Sequence, residues 1–130
     1  QVTPFEAGDV LYGKLRPNLR KVTIAPRDGY CSTEILVLKP KGISSEELQI
    51  LVSSDFVFHQ AQRATSGSVM PRVSEKILGS IPVGDVSNPS MNEKMRLAIQ
   101  GRRLSFQLAK EVTDLRMLGR SLLKKVMVSE

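Results

Sequence analysis

The chain has one cysteine, one histidine and no tryptophan, and aromatic residues make up 5% of it. A single cysteine excludes an internal disulfide and suits a reducing compartment. His59 has no Cys or His partner at ligand spacing, so no zinc site is expected. Few aromatics leave most of the core to aliphatic side chains. No apolar run approaches the roughly 18–20 residues of a membrane span, and no signal-peptide pattern opens the chain. The expectation is a cytoplasmic protein without membrane contact. Asp9, Asp28, Glu34 and Asp55 are scattered, without the spacing of paired carboxylates. Cys31 reads as a core residue, because nothing marks the orienting group or oxyanion hole that a Cys–His nucleophile needs. No catalytic residue, metal or cofactor is therefore expected.

What is present is a basic, foldable chain. Its 130 residues are 41% hydrophobic and 25% charged, enough for a core and unlike a disordered segment. The formal net charge is +6. Such a balance favours polyanion partners, since Lys and Arg release counterions from a phosphate backbone.

Turn and breaker residues divide the first half. Residues 1–7, with Pro4 central, read as neither strand nor helix. After a Gly8-Asp9 turn, Val10, Leu11 and Tyr12 open a strand that ends near Lys14, where Arg16-Pro17-Asn18 breaks it. A second strand is expected at 21–25 and a third, uninterrupted, at 31–38, giving a β-meander or part of a larger sheet. Ser44 and Glu47 form a capping box for a helix. Ser54-Asp55 restarts it, with Phe56, Val57 and Ala61 facing inward, and it ends by Ser66-Gly67. One helical turn at 74–78 and a last short strand at 80–83 follow. Residues 84–89 read as a linker. Beyond it, 92–127 contains no proline, and Leu108, Val112, Leu115, Leu118, Leu122 and Val126 recur at spacings of three and four. A helix that long exceeds what a small core needs and calls for a partner; a helix folded back on its own domain is the alternative expectation. The fold class is α+β: a small, twisted, mostly antiparallel sheet with flanking helices, then a long coiled-coil-like C-terminal helix.

Two segments could meet nucleic acid. Lys14, Arg16, Arg20, Lys21 and Arg27 fall within fourteen residues with no acid among them, and Asn18 lies in the middle. Arg offers a rigid fork for phosphate or guanine, and Asn can bridge an adenine edge. A solvated hairpin edge fits the same composition. In the second segment, Arg63 precedes Thr65-Ser66-Gly67-Ser68, which leads to Arg72. Small hydroxyl residues there let the backbone approach a phosphate. It is no P-loop, since the required Lys is missing, and Gly67 also suits a plain helix cap. Glu34, unusual inside a strand, could pair with a nearby cation and organise the basic rim.

These residues also resemble a known family. Gly8 to Asn18 is similar to the "gDiLygkirPn" segment of target recognition domains in the specificity subunits of type I restriction–modification systems. Cys31 to Leu38 resembles their "stef.vlrp" strand, Thr65 to Ser74 their "tsGs.mprls" connector, and Ile77 to Val83 the "l..i.ipvP" strand before their long helix. The four segments occur in the family's order. The family's "PPl.EQ" element is missing at 84–92, and its domains normally have more chain before the first segment.

The resemblance implies a non-catalytic subunit whose globular domain reads one half of a split target in double-stranded DNA. Its helix would set half-site spacing and dock the methyltransferase (modification) subunit, which works with a restriction subunit. Residues 1–90 are expected to be an N-terminally truncated or half-size recognition domain, and 91–130 the helix for dimerisation or docking. Lys14, Arg16, Arg20, Lys21, Arg63 and Arg72 are the expected DNA contacts, with Asn18, Ser66 and Ser68 behind them. Two copies could pair through the apolar stripe. A helix-mediated assembly module with an incidental basic surface is the rival expectation.

Overall fold

The computed structural model describes residues 1–84 and 88–128. Of the expected linker at 84–89, residues 85–87 lie outside the described residues. Backbone contacts divide the chain into two compact units, Gln1–Met95 and Arg96–Glu130.

Among the described residues the first unit holds five short strands and three short α-helices. They are β1 (Val2–Phe5), β2 (Val10–Gly13), β3 (Val22–Ile24), β4 (Gly29–Ser32), β5 (Ile35–Leu38), α1 (Ser45–Val52), α2 (Asp55–Ala64) and α3 (Glu75–Gly79). All strand pairing is antiparallel. β2 is central in a three-stranded sheet of order β3-β2-β5, and β1 pairs with β4 in a separate two-stranded sheet. The fold is α+β, as expected.

Five local expectations fail, each for a visible reason. The single strand over 31–38 is two strands in different sheets. Its break is a turn at Thr33-Glu34, where the Ser32 hydroxyl accepts the Glu34 amide at 3.3 Å. That local bond competes with the sheet ladder. For the same reason the meander is interrupted, because β4 leaves to pair with β1. Residues 2–5 form a strand despite Pro4, which a two-stranded ribbon tolerates because it needs few donors. Residues 80–83 form none: the Ser80 and Ile81 amides are used in bonds to Lys76, Ile77 and Leu78 at the end of α3, and Pro82 has no donor. Phe56 is 49% exposed, because Val57 and Ala61 define the inward stripe and Phe56 lies about 100° away from Val57.

The core is aliphatic around one tyrosine. Val10, Tyr12, Leu36, Val52, Ala61 and Val73 form the buried cluster, with Leu48, Ile77, Leu78 and Ile81 packed against it. Serine caps start all three short helices. Ser44 forms the expected capping box with Glu47, and Ser54 and Ser74 accept the amides of Val57 and Ile77. Gly29 is required sterically, since a Cβ there would sit 2.7 Å from the Phe5 ring.

Asp9 ties the two sheets' connections together. Its buried carboxylate accepts the Glu6 amide at 2.9 Å and meets the Lys39 ammonium at 3.3 Å, while its carbonyl accepts the Ala25 amide. Hydrogen bonds to Asp9 and Glu6 hold Lys39 above the ordinary lysine range.

The described residues of the second unit lie within α4 (Pro89–Val128), a single helix of 40 residues. Leu97, Leu104, Leu108, Val112, Leu115, Leu118, Leu122 and Val126 on it are each between 46% and 67% exposed. The apolar stripe therefore begins at least eleven residues before the expected Leu108.

Replacing Asp9 by Ala should cost about 1–3 kcal/mol, the penalty for stranding partners of a buried acceptor. Removing Asp28, whose exposed carboxylate accepts only the Ala7 amide, should cost less. Chemical denaturation of both variants reads the difference, and equal losses would contradict the role given to Asp9.

Candidate nucleic-acid interface

Beyond β2 the chain stays extended and is gripped from both sides. The Lys14 amide donates to the Glu34 carbonyl at 2.9 Å, the Val73 amide to the Lys14 carbonyl at 3.0 Å, and the Arg16 amide to the Pro71 carbonyl at 3.2 Å. Leu15 and Arg72 form an antiparallel bridge. These bonds bring the first sequence-predicted segment, 14–21, and the end of the second, Pro71 and Arg72, to one edge of the unit.

The turn itself is constrained. Arg16 (φ 54°) and Arg20 (φ 44°) bracket a 3-10 helix, Pro17–Leu19, and both adopt the left-handed conformation. Among the described residues they are the non-glycine residues with positive φ. Such geometry costs on the order of 1–3 kcal/mol per residue and persists only where the surroundings impose it. Here Pro17 is buried, the Arg20 amide bonds the Pro17 carbonyl at 3.0 Å, and the Gly13 amide bonds the Lys21 carbonyl at 2.8 Å.

The cations divide into two groups. Lys14 Nζ donates to the Thr33 carbonyl at 2.5 Å. Arg72 pairs with Glu34 at 3.1 Å, so the in-strand carboxylate has a cation partner on this rim. Arg20 bonds Asp55 at 2.6 Å and lies 4.1 Å over the Phe58 ring, which fastens the turn to α2. Arg16, Lys21 and Arg63 are exposed and make no ion pair among the described residues. The stem of Lys21 runs along Gly13, where a Cβ would meet it at 3.1 Å.

In the second segment, the Ser66 hydroxyl donates to the Arg63 carbonyl at 2.9 Å and the buried Thr65 hydroxyl to the Ala61 carbonyl at 2.9 Å. Gly67 has φ +85°. These three residues finish α2, while Asn18 and Ser68 are exposed. Sequence reasoning overlooked the apolar side chains beside them: Leu19 is 55% exposed, Met70 66% and Val69 100%. Cys31 is half-buried, and its thiol lies 3.5 Å from the Thr3 carbonyl. Glu34 and Asp55 each face an arginine rather than one another. Among the described residues, no group of three or more His, Cys, Asp or Glu could hold a metal ion.

Net charge is unevenly shared. Residues 1–95 carry eleven Lys or Arg against ten Asp or Glu, a net +1. Residues 96–130 carry eight against three, a net +5. The basic edge is thus a local feature of a nearly neutral unit.

No family model matches the chain. A curated relative does: the type I restriction enzyme EcoDI specificity subunit of Escherichia coli is 31% identical over 110 residues, 85% of this chain. The chain is a relative of the type I specificity subunits. It spans about a quarter of that subunit's length, 24%. Among solved structures, a chain from a study of complex assembly and conformational transition in the type I R-M system is similar, with a TM-score of 0.65. The match covers 88% of this chain and 30% of that one at 24% identity, and shows a shared fold. For this relative of the specificity subunits, the ordered motifs acquire physical reasons: Asp9 caps a turn, Gly13 clears Lys21, and Arg16-Pro17 makes the strained corner.

Arg20→Ala should destabilise the fold by about 1 kcal/mol, through loss of the cation–π contact and a partly exposed ion pair. Arg16→Gly should be close to neutral, because relieved backbone strain offsets the extra chain entropy of glycine. Denaturation midpoints would separate the two, and a larger loss at Arg16 would show that its side chain holds the turn.

Proposed function

We propose that this chain is the DNA-reading segment of a type I restriction–modification specificity subunit, non-catalytic in itself, that directs methyltransferase and restriction subunits to a target in double-stranded DNA. The observation that carries the reading is the edge where 14–21 meets 71–73. Backbone bonds gather Lys14, Arg16, Arg20, Lys21 and Arg72 there, in a chain related to a specificity subunit.

The roles follow from the engagements already described. Arg16, Lys21 and Arg63 reach phosphates or base edges directly. Lys14 and Arg72 hold the rim's shape and add positive potential, and Arg20 anchors the turn on α2. Asn18 and Ser68 supply neutral hydrogen bonds. Residues 1–90 act as the recognition domain, and 91–130 as the helix for dimerisation or subunit docking. On that helix Leu108, Val112, Leu115, Leu118, Leu122 and Val126 cover themselves against a second helix, in a second copy of the chain or in the partner subunit.

Duplex affinity should fall steeply with salt, since each phosphate neutralised contributes about −0.9 to the slope of log K against log salt. Reversing Lys14 and Arg16 to Glu should weaken binding more than reversing Arg102 and Arg103, although both change net charge equally. Equal effects would mean non-specific attraction by the whole surface, and no affinity for any duplex would overturn the proposal. For the helix, Leu115→Lys with Leu118→Lys should lower the solution mass of an assembled form to that of a monomer, as sedimentation would show.

A further inference from the structure

The apolar side chains on the basic edge point to a division of labour within it. Val69 is fully exposed and Met70 two-thirds exposed, on the connector that follows α2. Pro71, the next residue, is bonded to Arg16, and Arg72 is bridged to Leu15. Two neighbouring apolar side chains therefore stand in solvent beside Arg16 and its strained turn. They are no part of the core cluster. A tip whose purpose was to close a helix would need neither: Thr65, Ser66 and Gly67 already do that.

The cations flanking this tip select a polyanion as its occupant, and the apolar atoms select what the polyanion presents. Phosphates offer nothing to a valine or methionine. A base-pair edge in the major groove does, through the C5-methyl group of thymine. Stacking on unpaired bases is disfavoured, since neither segment of the edge, 14–21 or 63–72, contains an aromatic residue to act as a platform.

We infer that Val69 and Met70 are specificity-determining residues that contact thymine methyl groups in the major groove, while Arg16, Lys21 and Arg63 position the duplex. The inference rests on the DNA-reading role proposed above. It is tested with the 130-residue chain and the duplex it selects from a random pool. A second duplex has uracil in place of every thymine in the selected site, which removes only the methyl groups. The wild-type chain should bind the uracil duplex on the order of ten-fold more weakly. The variant carrying V69A and M70A should lose a similar factor on the thymine duplex and show no further loss on uracil, with its salt slope unchanged. Both residues are exposed, so folding, followed by circular dichroism, should be unaffected. A variant that still prefers thymine over uracil would overturn the inference and leave the DNA-reading role standing. If the wild-type chain selects no sequence from the pool, both fall.

Discussion

The structure depends on the three residues that follow β2. Lys14 and Leu15 continue the strand and Arg16 turns out of it, with backbone partners on both sides: the Glu34 carbonyl on one, and Val73 and Pro71 on the other. Without those bonds the connector from α2 would have no fixed place, and the turn at 16–20 would lose the frame that holds two arginines at positive φ. An interior strand is the most restrained backbone a small domain offers, because its donors and acceptors are satisfied on both edges. Here that restraint is carried past the end of β2 and into the basic edge.

Each side of this frame also handles charge. Glu34 and Asp55 are the acids beside the edge, and each faces an arginine. The carboxylates thus neutralise the cations that shape the edge and leave Arg16, Lys21 and Arg63 without counter-ions among the described residues. Partly exposed ion pairs contribute little to stability. Their effect here is positional: Arg20, fixed by Asp55 and by the Phe58 ring, cannot swing away, so the 3-10 helix stays against α2.

Much of this was legible in the sequence, and the failures share a cause. The capping box at Ser44, the helix starts at 54 and 74, the C-terminal part of the α4 stripe and the break at Arg16-Pro17 are local signals, written in adjacent residues and legible there. The split of 31–38 into two strands was not legible, because Val37 and Ile35 show high strand propensity wherever they pair. Which sheet each half joins is decided by residues 1–5 and 10–13. The strand at 2–5 was hidden by Pro4, whose tolerance depends on having a partner on one side only. The exposure of Val69 and Met70 was not legible, since composition cannot say which residues of a connector face outward. The sequence did hold one signal: apolar residues placed directly between Ser68 and Arg72, with no helical or strand period to bury them.

The division of charge between the two units has a further consequence. At physiological ionic strength, fields fade over about 8 Å. A unit of net +1 exerts almost no pull on a polyanion beyond that range. Its cations act only once they touch. The net positive charge of this chain therefore lies in residues 96–130, with net +5, and not in the unit that carries the basic edge. Under the proposed function, approach and discrimination would then belong to separate stretches of polypeptide, and a rise in ionic strength would slow the first more than it blunts the second.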